Sequence, residues 1–106
     1  MTEKFIEPEP VGQMLKVEFL EPLKLSQNAL AQAIGVPSNR INGIINGTRG
    51  ITADTDLRLT RYFGLTEGFF LRYQNGVELV KAKHRIRTQL DKIVPFHRPA
   101  SAETSE

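Results

Sequence analysis

An all-α fold is predicted for this chain: five helices built around a helix-turn-helix, with an extended fifth helix and flexible termini. Three observations predict it. Apolar residues recur at three- and four-residue intervals along successive short stretches, which is the spacing of one buried helix face. Proline, glycine and capping residues punctuate those stretches. Between Gln27 and Gly47, the run QNALAQAIGVPSNRINGIING sets Gln27, Ala31, Gly35, Ile41 and Ile44 at the separations that two helices joined by a tight turn require. The 106 residues, 40% of them hydrophobic and 25% charged, suffice for one core. They divide into an N-terminal arm (1–10), a helix-turn-helix domain (11–84) and a basic segment with a flexible tail (85–106).

The arm contains two prolines and four charges and has no periodicity. The first helix is expected from about Val11 to Leu20, with Leu15 and Phe19 one turn apart on the core face and Pro22 stopping it. Ser26 is the natural N-cap of the second helix, whose buried face is Leu30, Ala31 and Ile34. Ala31 lies where the next helix crosses, so a larger side chain there would push the pair apart. Gly35 supplies the positive φ of the turn. The third helix is expected from Pro37, whose missing N–H suits a helix start, to Asn46, with Gly47 ending it and Ile41, Ile44 and Ile45 as its buried stripe. Thr52 caps a fourth helix with Asp54 in its first turn, Leu57, Tyr62 and Phe63 toward the core, and Gly64 closing it. Thr66 is expected to cap the fifth, with Phe70, Tyr73, Val77 and Val80 on one stripe and Asn75-Gly76 interrupting it. Beyond Lys83 the pattern weakens, Pro95 and Pro99 follow, and SAETSE reads as a disordered end.

Composition removes several classes of function. There is no cysteine, so disulfides, thiolate catalysis and cysteine-held metal are excluded, and a reducing cytoplasm is the expected location. No apolar run reaches the length of a membrane span, and MTEKFIEPEP lacks the features of a signal peptide. The two histidines, His84 and His97, are too few and too far apart for a metal site. No nucleophile, histidine and acid set, no paired carboxylates in an apolar stretch and no glycine-rich phosphate loop is present, so neither an enzyme nor a cofactor is expected. The formal charge of +2 is modest but unevenly spread. Five acids (Glu3, Glu7, Glu9, Glu18, Glu21) face three lysines in the first 25 residues, whereas residues 80–98 carry six basic residues against Asp91.

Turned away from the buried stripe of the third helix are Ser38, Asn39, Arg40, Asn42 and Asn46. Such a polar face with one fixed cation is what a helix in the DNA major groove presents. Ser38, Asn39 and Asn42 occupy the half of the helix that reaches base edges, and Arg40 is placed for a base or a phosphate.

The run FLEPLKLSQNALAQAIGVPSNRINGIINGTRGITADTDLRLTRYFG, continued by FFLRYQ, resembles the HigA-type antitoxins, the plasmid-maintenance antidote or virulence-associated protein I group of the Xre-like repressors. The likeness covers roughly residues 12–74. LSQNALA, NRIN, NGTRGIT and DTDLRL together are more specific than a lone helix-turn-helix match. The resemblance implies a phage-repressor-like fold, a homodimer using its C-terminal helix, an inverted-repeat operator in double-stranded DNA, and a toxin partner, normally a small ribonuclease. It also implies phosphate contacts from Gln27, Asn46, Thr48 and Arg49. The alternative is a stand-alone Xre-type repressor without a toxin, since the same face would serve it. A protein-interaction module that has lost DNA binding would have no need of the Asn and Arg residues on that face.

Overall fold

The computed structural model describes residues 4–97 and is helical throughout its regular structure. Glu3 of the acidic set and the tail from Arg98 onward, with Pro99 and SAETSE, lie outside the described residues. Helix α1 (Val11–Leu15) runs directly into a π-helical turn (Lys16–Leu20) and then α2 (Glu21–Leu23). The expected stop at Pro22 therefore does not occur. The widened turn explains why: the Glu21 N–H donates to the Lys16 carbonyl, five residues back, so the chain enters Pro22 without the tight i→i−4 geometry that a proline ring disrupts. The rod ends at Lys24, the one non-glycine residue with positive φ (53°) among the described residues.

Helices α3 (Gln27–Ile34) and α4 (Ser38–Asn46) form the helix-turn-helix, and α5 (Ala53–Phe63) and α6 (Phe69–Arg85) close the core beneath it. A short α7 (Arg87–Asp91) follows, a sixth helical unit beyond the five expected. Leu15, Leu30, Ile41, Ile44, Leu59 and Phe70 are fully enclosed. Burying each such side chain contributes roughly 1.5–3 kcal/mol relative to exposure. Phe19 packs its ring against Phe63 and Phe70, with centroids 4.8 and 5.4 Å away, and so ties the π turn to α5 and α6.

Five expectations about the core and its helices need correction. Leu57 and Tyr62 of α5 and Val80 of α6 are exposed. In α5 the buried stripe is Thr55, Asp56, Leu59 and Thr60, because that is the face turned toward α6 and α3. Ile45 is only half-buried, and Gly43 takes its place in the α4 stripe. Asn75-Gly76 does not interrupt α6, which runs unbroken for 17 residues. Its flanks, Phe70 and Val77, are anchored in the core, and that burial outweighs a local glycine cost of about 1 kcal/mol.

Thr66 does not cap α6. The N-cap is Gly68 at φ 92°, and the capping oxygens come from another helix. Asp56, 1% exposed, accepts from the backbone N–H groups of Gly68 (2.7 Å), Phe70 (2.9 Å) and Leu71 (3.1 Å). A carboxylate on three helix-start donors satisfies groups that would otherwise be unpaired in the interior and sits at the favourable end of the helix dipole. Gly12 is required for a different reason. A Cβ there would lie 1.9 Å from the Ile44 carbonyl oxygen, so α1 crosses α4 backbone to backbone.

Candidate nucleic-acid interface

The two helices of the motif are set by local chemistry. Ser26 is extended (ψ 160°), and its Oγ accepts from Ala29 N at 3.0 Å, as a capping serine should. Gly35, at φ 75°, turns the chain, and its N–H with that of Val36 closes α3 on the Gln32 and Ala31 carbonyls. Pro37 is the N-cap of α4, not its first helical residue. The difference is one position. Ala31, Ile41 and Ile44 are buried where the helices meet.

The predicted polar face is assembled as expected from the 3.6-residue period. Ser38, Asn39, Asn42 and Asn46 are exposed and Arg40 half-exposed. Sequence reading did not anticipate that several of these side chains are held. Asn42 Nδ2 donates to Gln27 Oε1, so the first residue of α3 orients the middle of α4. Arg40 Nη1 donates to Asp54 Oδ1 at 3.0 Å, and Arg58 Nε reaches the same oxygen at 2.8 Å. Arg58 Nη1 also donates to the carbonyls of Ile34 (2.8 Å) and Gly35 (3.3 Å), at the turn itself. The Arg58 hydrogen bond, followed by its charge and the contacts of Arg40, outweighs partial desolvation and lowers the Asp54 pKa below its ordinary 3.8. The Asp54–Arg58 link is an i,i+4 pair and was legible in the sequence.

The loop after α4 is also braced. Asn46 Oδ1 accepts from Thr48 N (3.2 Å) and Oγ1 (2.9 Å), and the Thr48 and Arg49 N–H groups close on the Gly43 carbonyl. From below, Gln74 of α6 makes a reciprocal pair with Ile51: its Oε1 accepts from Ile51 N at 2.6 Å, and its Nε2 donates to Ile51 O at 2.9 Å. Arg49 thus projects from a loop fixed at both ends. Asn46 and Thr48 spend hydrogen-bonding capacity on each other, a loop-forming role that the sequence reading did not assign them.

The arm lies along α6, and its end at Pro10 lines one cleft with Lys81 and the loop residues Asn46, Thr48 and Arg49. Phe5 stacks on His84 with centroids 3.8 Å apart, Glu7 Oε2 is 4.0 Å from Lys81 Nζ, and Tyr73 donates its hydroxyl to the Glu9 carbonyl at 2.8 Å. Burial, with the charges of Glu9 and Glu18, raises the Tyr73 pKa above 10.0.

A capped helix, a glycine turn and an outward polar helix on a five-helix core define a helix-turn-helix protein. Residues 18–70 match the helix-turn-helix family profile. The chain is 42% identical over 85 residues to virulence-associated protein I of Dichelobacter nodosus, covering 80% of this chain and 78% of the relative. It is 39% identical over 89 residues to antitoxin HigA-1 of Vibrio cholerae, covering 84% of each. The structure of Pseudomonas aeruginosa antitoxin HigA with the higBA promoter superposes with a TM-score of 0.77 at 34% identity, covering 85% of this chain and 99% of that one. The chain belongs to the HigA and virulence-associated protein I family of helix-turn-helix proteins. Among the described residues, no helix is long and apolar enough to cross a membrane.

Proposed function

We propose that this protein is a cytoplasmic, non-enzymatic antitoxin that binds operator DNA as a homodimer, represses its own operon and neutralises a toxin. The observation that carries DNA binding is the α4 face: exposed Ser38, Asn39 and Asn42, with Asn42 held by Gln27, in a chain similar to an antitoxin whose structure includes promoter DNA. Ser38, Asn39 and Asn42 read base edges, and asparagine is suited to the paired donor and acceptor of adenine. Gln27 at the start of α3, and Asn46, Thr48 and Arg49 in the braced loop, follow the phosphate backbone. Arg40 serves a base or a phosphate at the edge of the groove.

The dimer is proposed to form through the C-terminal end of α6 and α7, where Leu79, Val80, Ile86 and Leu90 are exposed. Apolar side chains at this density on one segment favour burial against a second copy. Two motifs related by a two-fold axis then read half-sites about 34 Å apart. The toxin is assigned to the arm and first helix, where Glu7, Glu9, Glu18 and Glu21 are exposed, because a ribonuclease toxin is expected to be basic and the DNA face stays free. Sedimentation and gel shifts on the DNA upstream of its own gene test the reading. A dimer that shifts an inverted repeat in that DNA, and leaves scrambled duplex unshifted, is expected. A monomer with equal affinity for both would overturn it.

A further inference from the structure

Arg40 is the cation nearest the base-reading residues, yet its side chain is only 30% exposed, because it folds back onto the first turn of α5. Asp54 holds it there. The carboxylate is not left to wander: Arg58, four residues on, binds the same oxygen at 2.8 Å while its other nitrogen grips the Ile34 and Gly35 carbonyls of the turn. Asp54 is therefore anchored to the helix-turn-helix and aimed at the first turn of the recognition helix. We propose that Asp54 is a positioning residue that masks Arg40: DNA must displace the carboxylate before the guanidinium can reach a phosphate or a base.

Each phosphate neutralised by a protein cation releases counterions and adds about 0.9 to the slope of log affinity against log salt, whatever the base sequence. An arginine already paired with a carboxylate contributes little to that non-specific attraction. An exposed pair is weak in water, and this weakness makes it releasable, since a phosphate at the right distance can take the guanidinium. The pair thus lowers affinity for any duplex that draws on Arg40, by the cost of its own release.

This inference rests on the DNA-binding reading above, and its test separates the two. Wild type, Asp54→Asn, Arg40→Gln and the double variant are titrated by fluorescence anisotropy, over a range of salt, onto a 30-base-pair duplex selected from random DNA by the wild-type protein and onto its scrambled counterpart. Failure of the wild type to select any duplex overturns the function itself. If the wild type selects one, Asp54→Asn is expected to bind scrambled DNA about fivefold more tightly near 0.15 M salt, with the slope steeper by about 0.9, and to tighten on the selected duplex by at least the same factor. In the Arg40→Gln background the same substitution is expected to change neither quantity, and Asp54→Glu is expected to keep the wild-type slope. An unchanged slope in Asp54→Asn, or an equal effect with and without Arg40, overturns the proposal.

Discussion

Asp54 and Asp56 stand two residues apart in the first turns of one helix and do opposite work. Asp56 is 1% exposed and bonded to three backbone N–H groups, whereas the Asp54 side chain is 59% exposed and holds two arginines. The period of the helix decides which points inward. The inward carboxylate joins α5 to α6 and contributes to stability. The outward one holds Arg40, at the edge of the proposed DNA face. The same division runs through the molecule: contacts beneath α4 hold the scaffold, and contacts on its surface set where polar side chains point.

The largest effect is expected at Asp56. Asp56→Ala leaves three backbone donors, that of Phe70 fully buried, without an acceptor and is expected to cost about 4 kcal/mol in urea unfolding, given 1.5–3 kcal/mol for a hydrogen bond to a charged group. If stability fell by no more than in an exposed substitution, the cap would not be a structural anchor. Gly12→Ala, which forces a methyl against the Ile44 carbonyl, should follow at about 2 kcal/mol, read from the shift in urea midpoint.

On the surface side the losses should appear in binding and not in folding. Asn39→Ala and Asn42→Ala are each expected to weaken the selected duplex by about 1–3 kcal/mol and relax base preference, with urea midpoints unchanged. Arg49→Ala should weaken all DNA alike and lower the salt slope by about 1. Altered base preference at constant slope would move Arg49 from the backbone to the bases.

The smallest effect is expected at Tyr73, where scaffold and arm meet. Its pKa is raised on folding, so its contribution to stability is complete below about pH 10, the unfolded value, and is lost as pH rises through the higher folded value. Tyr73→Phe should flatten the alkaline decline above pH 10 and cost little at neutral pH. An alkaline limb identical to wild type would show that the phenol has no part in it.

Much of the fold was legible because it is written locally. Ser26 and Thr52 cap the helices they were expected to cap, and Gly35, Gly47 and Gly64 take the left-handed conformation at three helix ends. Each is a matter of one residue and its next few neighbours, so spacing and residue type suffice. The outward set Ser38, Asn39, Asn42 and Asn46 was legible for the same reason, because the helical period fixes direction once Ile41 and Ile44 are known to be inside. The misses share the opposite cause. Asp56 displaced Thr66 as the cap of α6, Gln74 reached Ile51 across 23 residues, Asp54 took Arg40, and Gly12 met Ile44. Leu57, Tyr62 and Val80 were given to the core and found outside it. An apolar residue's type does not say which neighbour its helix will face, and a carboxylate's type does not say whether its partner is a distant amide or a nearby arginine. Sequence alone therefore determined the helices, their turns and the composition of the α4 face. Only packing, which brings residues far apart in the chain within 3 Å of each other, decided what each polar side chain holds and hence how freely it can meet DNA.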